Sequence, residues 1–147
     1  LLTYANDSGK PGSDPVFGEG VMNVKRVLER DEKGIVDAAL SGFFIDSETG
    51  DPETRIVWVS AQNRGTETIT ALLVRAEVDG TPVDTTFADV GVGDVVSVPI
   101  EIRLDKLGEE GVLIRSVVVP IGQTDTDPQN DGMRTTIKMV TEPEDVP

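Results

Sequence analysis

The residues best suited to chemistry lie in one loop near the end of the chain, where carboxylate and amide side chains are concentrated. The loop is Asp125-Thr126-Asp127-Pro128-Gln129-Asn130-Asp131-Gly132. Ca²⁺ takes roughly six to eight oxygen ligands, and the candidate ligands here are Asp125, Asp127, Asn130 and Asp131. The spacing is not that of an EF-hand, and Asp and Asn also bond to nearby backbone in solvated turns. Both interpretations of the loop therefore stay open.

A second acidic loop, residues 46–53, carries the type of side chain that a glycosidase uses. Its sequence is Asp46-Ser47-Glu48-Thr49-Gly50-Asp51-Pro52-Glu53. A carboxylate pair hydrolyses a glycoside only beside a substrate cleft, and aromatic residues, which would form a sugar platform, are only 4% of the chain. The chain has no His and no Cys, which excludes Ser–His and Cys–His catalysis within it. We therefore expect no enzyme activity, and no cofactor other than the Ca²⁺ already considered.

Three other features bear on recognition. Asn6-Asp7-Ser8 matches the N-glycosylation acceptor pattern in a segment expected to be exposed, so Asn6 is a candidate attachment site. Trp58 lies in an apolar strand and is predicted to be buried in the core rather than to stack on a sugar. Phe43 and Phe44 are adjacent and point to opposite faces of a strand, so one ring is expected at the surface.

The charge of the chain limits its partners. The 147 residues include 13 Lys and Arg against 27 Asp and Glu, for a net charge of −14. Such a surface repels phosphate groups and anionic lipids, so nucleic acid and anionic membranes are not expected partners. No run of 18 apolar residues occurs, so no part of the chain is expected to insert into a membrane. The scattered acidic residues fit either a surface adapted to high salt, as in a halophilic archaeon, or an ordinary acidic exported domain.

Composition divides the chain into a core and two flanks. Residues 1–20 are rich in Gly and Pro and predict an N-terminal arm or linker that is loosely held. Residues 141–147 predict a second linker, which leaves 21–140 as one domain. The apolar residues Leu1 and Leu2 fit the remainder of a removed signal or membrane anchor, and equally an arbitrary boundary.

Within 21–140, β-branched segments alternate with turn residues. Val95 to Leu104 has the clearest alternation in the chain, with Val96, Val98, Ile100, Ile102 and Leu104 on one face, and Pro99 favours an edge strand or a bulge. Asp79-Gly80 predicts a tight hairpin. Val21 to Glu29 fits either a strand or a helical turn. Together these segments predict an all-β fold, an immunoglobulin-like antiparallel sandwich of seven or eight strands.

The stretch from Val57 to Val140 resembles the CARDB family, immunoglobulin-like modules of bacterial and archaeal surface proteins. Four motifs in order carry the resemblance: Val57 to Thr66, Val78-Asp79-Gly80-Thr81-Pro82-Val83, Val90-Gly91-Val92-Gly93-Asp94, and Asp125 to Asp131. The last motif has Gln129-Asn130-Asp131 where the family usually has Glu and paired Asn, and the first 55 residues match poorly. The resemblance implies a non-catalytic extracellular module of a cell-surface protein or filament, structural or adhesive, that acts through protein–protein contacts.

Two alternatives to this function remain open. Archaeal motility-filament accessory proteins carry an exported β-sandwich behind one membrane helix, with similar turns, and that resemblance implies a stator or anchor domain that binds the cell envelope. The oxygen-rich loop would instead fit a Ca²⁺-dependent carbohydrate-binding module. In each case the expected location is outside the cytoplasm. For the structural module we also expect self-association, with the apolar residues of the N-terminal arm docking on an adjacent copy.

Overall fold

The structure is a computed structural model that describes residues 1–48 and 51–139. The strands are β1 Ala5–Asn6, β2 Val21–Met22, β3 Ala38–Asp46, β4 Thr54–Asn63, β5 Ile69–Val78, β6 Thr81–Val90, β7 Val95–Arg103, β8 Val112–Pro120 and β9 Gly132–Ile137. The α-helix is α1 Val24–Leu28, and short 3₁₀ helices are found at Leu2–Tyr4, Leu104–Lys106 and Pro128–Asn130. Among the described residues no helix is both long enough and apolar enough to cross a membrane.

The seven long strands form two antiparallel sheets. One has the order β3-β4-β7 and the other the order β6-β5-β8-β9, while β1 and β2 form a separate pair. The fourth long strand, β6, pairs with the third, whereas in a constant-type immunoglobulin domain the fourth strand lies beside the fifth. The predicted immunoglobulin-like sandwich is confirmed, with this change of sheet for one strand.

The core lies between the two sheets and follows the two-residue period of the strands. On β5, Leu72, Val74 and Ala76 are fully buried, and the intervening residues are more exposed. On β4, Val57 and Val59 are likewise fully buried. The predicted hairpin joins β5 and β6 at Asp79-Gly80, and β7, which contains Pro99, is an edge strand as predicted.

The segment from Val21 to Glu29 forms a two-residue strand followed by a helical turn rather than one strand. The side chain of Asn23 caps α1 by accepting a hydrogen bond from the backbone N–H of Arg26 at 3.2 Å. This cap satisfies one of the free N–H groups at the start of the helix. The helical alternative is therefore correct for residues 24–28.

The N-terminal arm is not loosely held where it meets the sandwich. The backbone N–H of Asp7 donates to Gln62 Oε1 at 3.0 Å, and Gln62 Nε2 donates to the carbonyl of Ala5 at 3.0 Å. Asp7 and Ala5 are both buried. Because Gln62 lies on the face of β4 opposite the core residues, the arm covers the outer face of the three-stranded sheet. Residues 5–7 are therefore held against the sandwich by hydrogen bonds, whereas composition alone predicts a loosely held segment.

The two aromatic predictions are affected by the same cover. Trp58 is half-buried and is not part of the core, because its side chain alternates with those of Val57 and Val59 and points to the outer face. It shares a hollow with Lys10 and Pro11 of the arm. Phe43 packs against the core, whereas Phe44 lies on the outer face and is half-buried. The predicted core position of Trp58 is therefore wrong.

Candidate functional site

The oxygen-rich loop packs against the residues that lead into β3. Asp125 Oδ2 accepts a hydrogen bond from the backbone N–H of Ala38 at 2.8 Å, and its Oδ1 accepts one from Asp127 N–H at 2.8 Å. Thr126 donates to the carbonyl of Val36 through both its backbone N–H and its hydroxyl, at 2.7 and 2.9 Å. Asp125 Oδ2 and Thr126 thus attach the loop to the sandwich, while Asp125 Oδ1 holds the turn within the loop.

A fourth carboxylate joins this cluster from a distant part of the sequence. Asn130 Nδ2 donates to Asp37 Oδ1 at 3.0 Å and to Asp127 Oδ2 at 3.4 Å. Asp37 is 93 residues from Asn130, and nothing in the sequence around Asp37 indicated that it would meet the loop. We call Asp37, Asp125, Asp127 and Asp131 the acidic cluster.

The acidic cluster is electrostatically unfavourable when every member is charged. Burial, and then the charges of Asp125, Asp37 and Asp127, raise the pKa of Asp131 to about 6. Burial also raises the pKa of Asp37, and the neighbouring carboxylates add to the effect. Asp131 Oδ1 and Asn130 Oδ1 are buried and accept no hydrogen bond. These two acceptors are the groups that a cation or a bound water would satisfy.

The cluster does not form a closed metal site. Within residues 1–48 and 51–139, no three acidic side chains are arranged to hold a metal ion. The four residues predicted as Ca²⁺ ligands do lie in one loop that is fixed to the sandwich, but Asp125 already bonds to two backbone N–H groups. Ca²⁺ binding at Asp125, Asp127, Asn130 and Asp131 therefore remains a prediction.

A polar cavity of about 380 Å³ lies beside the cluster. Asp37 and Asp127 line it together with Arg26 and Arg64. Burial lowers the pKa of Arg64, whose Nε donates to Gln62 Oε1 at 3.2 Å. Asp131, whose pKa is raised to about 6, does not line this cavity.

Arg26 connects three parts of the chain. It is only 5% exposed, and it donates to the carbonyls of Ala5, Arg64 and Thr3 at 2.7, 3.1 and 3.2 Å. Its guanidinium also lies 5.8 Å from the centre of the Tyr4 ring, within range of a cation–π contact. Burial lowers its pKa to about 10, so it stays charged at neutral pH. Sequence reasoning missed this residue, because an Arg is seldom buried and nothing in the sequence indicated its partners.

The candidate glycosylation residue, Asn6, belongs to the same network. Its Oδ1 accepts hydrogen bonds from Arg26 Nη1 at 3.2 Å and from Asn23 Nδ2 at 3.4 Å, and the residue is half-buried. The segment is therefore less exposed at Asn6 than the sequence predicted. Modification of Asn6 remains a prediction.

The segment held by Arg26 carries apolar side chains that face water. Six of them, in residues 1–2 and 21–28, are between 54% and 79% exposed. They are Leu1, Leu2, Val21, Met22, Val24 and Leu28. We call these six residues the N-terminal apolar surface. Val24 and Leu28 are four residues apart and therefore lie on one side of α1.

The second acidic loop uses its carboxylates locally in the part that the structure describes. Asp46 Oδ1 accepts from the N–H of Glu48 at 2.9 Å, and Asp51 Oδ1 accepts from the N–H of Glu53 at 2.8 Å. These are Asx turns, in which an aspartate bonds to backbone two residues further on. The positions 49 and 50 lie outside the described residues.

Comparisons with known proteins find a likeness in structure only. No family model matches the chain. No curated protein matches it either. Among solved structures, the chain is similar to the CARDB domain of a Pyrococcus furiosus protein in complex with di-metal ions. The two are 14% identical with a TM-score of 0.56, over 72% of this chain and 90% of that one.

A second solved structure matches more weakly. It is β-glucosidase 3B from Thermotoga neapolitana in complex with α-D-glucose, at 13% identity and a TM-score of 0.35 over 71% of this chain and 16% of that one. A score this low carries no argument about either fold or activity. The likeness to the Pyrococcus domain does extend over most of both chains, so the chain has the fold of a CARDB domain, as its sequence motifs implied.

Proposed function

We propose that this chain is a non-catalytic structural or adhesive module at the cell surface, and that it associates with other proteins through its N-terminal apolar surface. The observation that carries the proposal is that six exposed apolar side chains lie on segments that Arg26 joins to the sandwich, through its bonds to the carbonyls of Thr3, Ala5 and Arg64. Apolar groups held in place in this way lose little conformational entropy on binding. Burying them in a complex contributes about 25 cal/mol per Å².

The chemistry of the chain supports a role without catalysis. No His or Cys is present anywhere in the sequence. Within the acidic cluster, Asp131 has its pKa raised to about 6, but it does not line the adjacent cavity. The half-buried positions of Trp58 and Phe44 under the arm also weigh against a sugar-stacking platform.

The partner that we propose for this surface is a second copy of the chain. Each copy carries a charge of −14, so repulsion opposes self-association at low salt and weakens as salt screens it. We therefore expect dimers or larger species to increase between 0.05 and 1 M NaCl (roughly a tenfold drop in dissociation constant), measured by sedimentation velocity.

The double substitution Val24→Ser and Leu28→Ser tests the surface. Both residues are exposed, so the fold should be unaffected and association should be lost. The matched control is Val117→Ser and Val119→Ser, two exposed apolar residues on the outer face of the four-stranded sheet. If the variant with Val24→Ser and Leu28→Ser associates as strongly as the unchanged protein, the N-terminal apolar surface is not the contact and the proposal is wrong.

Ca²⁺ binding at the oxygen-rich loop is a second candidate function, favoured by the buried acceptors Asp131 Oδ1 and Asn130 Oδ1. A protein of similar fold was crystallised with di-metal ions, which makes the test worthwhile here. Binding should raise the melting temperature in millimolar Ca²⁺, and EDTA should reverse the rise. Asp131→Asn should abolish the shift, while Asp79→Asn, in the turn between β5 and β6, should keep it. An unchanged melting temperature in millimolar Ca²⁺ would exclude this function.

A further inference from the structure

An apolar cleft opens at one end of the sandwich, away from the acidic cluster. Its volume is about 380 Å³, within the range of about 300–1,000 Å³ found for small-molecule sites. Its walls include Val57, Ile102, Leu104, Leu107 and Ile137. Four of these five residues belong to the buried core, so the cleft is a continuation of the core that reaches solvent.

The position of Ile45 shows that the two sheets do not close over the core at this end. Ile45 pairs with Val57 across β3 and β4, so both side chains face the interior. Val57 is fully buried, yet Ile45 is 46% exposed. Met139, which also lines the cleft, is 50% exposed. An inward-facing isoleucine in contact with water marks a seam that is left unfilled, and an apolar ligand would be stabilised there.

Two cations line the same cleft. Arg55 lies on the face of β4 that carries Val57, and its Nη1 donates to the carbonyl of Thr54 at 2.7 Å. Lys138 lines the cleft directly after β9. In the described part of the chain, neither belongs to an ion pair, and no carboxylate lines the cleft. In a chain with about twice as many acidic as basic residues, apolar walls beside two cations and no lining carboxylate favour an anion.

We propose that this cleft binds an aliphatic carboxylate, such as a medium-chain fatty acid. The hydrocarbon chain packs against Val57, Ile102 and Leu107, and the carboxylate bonds to Arg55 and Lys138. The cleft carries no aromatic side chain, which favours a flexible aliphatic chain over a planar ring as the ligand. This binding is independent of the proposed protein contacts, because the two sites share no residue.

Titration calorimetry with decanoate, below its micelle-forming concentration, tests the ligand class. We expect decanoate to bind, and hexanoate to bind at least tenfold more weakly because it buries four fewer methylenes. Decanol and decyltrimethylammonium should also bind at least tenfold more weakly, because they lack the anion. Absence of decanoate binding at millimolar concentration overturns the proposal. Equal affinity for decyltrimethylammonium overturns it as well, because the cations would then have no role.

Two sets of variants locate the site. The pair Arg55→Gln and Lys138→Gln should weaken decanoate binding at least tenfold, and Ile45→Glu should abolish it, while the melting temperature shows that each variant is folded. The matched control is Arg30→Gln and Lys33→Gln, which removes two exposed cations elsewhere and should leave binding unchanged. If the control variant weakens decanoate binding equally, binding depends only on the net charge of the protein, and the proposed site is wrong. Decanoate binding by a variant that ends at Met139 but not by the full chain would also overturn the proposal.

Discussion

Single buried polar side chains decide how the N-terminal segment is attached. Gln62 uses both ends of its amide, accepting from Asp7 N–H and donating to the carbonyls of Ala5 and Gly93. Arg26 donates to five oxygens, one of which, the carbonyl of Ala5, also accepts from Gln62. Because both residues are buried, removing either leaves backbone groups without partners, which costs about 1–3 kcal/mol for each such group.

Asp7 gives this attachment a pH dependence. Burial raises its pKa, and the charge of Asp14 adds to the effect. Because the pKa of Asp7 is higher in the folded than in the unfolded protein, the protonated carboxyl favours the folded state. Its contribution to the free energy of unfolding is complete below the ordinary pKa near 4 and is lost as pH rises through the raised pKa. We therefore expect Asp7→Asn to be more stable than the unchanged protein at pH 7, with the difference shrinking towards pH 4, in urea unfolding at both pH values.

Asp14→Asn is the matched control, and its effect has the opposite sign. Asp14 accepts hydrogen bonds from the N–H groups of Val16 and Phe17 at 2.7 Å, which lower its pKa. The ionised carboxylate of Asp14 therefore stabilises the folded state above the ordinary pKa, and this stabilisation is lost as pH falls through the lowered pKa. Asp14→Asn should therefore destabilise at pH 7. A stabilising effect from both substitutions would show that net charge, not local burial, is responsible.

At the scale of elements, β4 organises the molecule because both of its faces are covered. The core covers the face with Val57 and Val59, and the N-terminal segment covers the face with Gln62. The sequence does contain a signal for this arrangement, since no charged residue occurs between Arg55 and Arg64. A strand with no charged residue on either face is typically covered on both faces.

The β5–β6 hairpin depends on two residues in the left-handed region, Asp79 with φ 45° and Gly80 with φ 84°. Two such residues are typical of a type I′ turn, whose twist matches that of the strands. We expect Gly80→Ala to destabilise the protein by about 1 kcal/mol in urea unfolding, because a Cβ strains this conformation although nothing lies within 4 Å of it.

Gly108→Ala is the control for the hairpin. A Cβ at Gly108 also meets nothing within 4 Å, but the residue is not in the left-handed region. Its substitution should be neutral or stabilise by about 0.5 kcal/mol through the unfolded state. Equal destabilisation by Gly80→Ala and Gly108→Ala would show that the left-handed conformation of Gly80 causes no strain in the variant.

The charge of the whole molecule should make its stability depend on salt. The described residues contain five ion pairs, and all are at least partly exposed, so most of the 27 acidic side chains are left to repel one another. We expect the melting temperature to rise by several degrees between 0.05 and 1 M NaCl as the screening length falls from over 10 Å to about 3 Å.

Removing charge should reduce this salt response. The triple substitution Glu101→Gln, Glu109→Gln and Glu110→Gln removes three exposed carboxylates, so its melting temperature should depend less steeply on NaCl. An identical slope in the two proteins would assign the salt effect to ion exclusion from the surface rather than to screening.

The sequence by itself determined the sandwich, because apolar residues at every second position of Val95 to Leu104 and of Ile69 to Val78 leave few ways to form one core. It also predicted the hairpin at Asp79-Gly80 and the edge position of Pro99, since both depend on local backbone geometry. Only the tertiary structure decided that Trp58 faces away from the core, that Asp37 joins the oxygen-rich loop, and that residues 5–7 cover β4. Those contacts join residues far apart in the chain, and their partners are set by which faces remain to be covered once the sheets have formed.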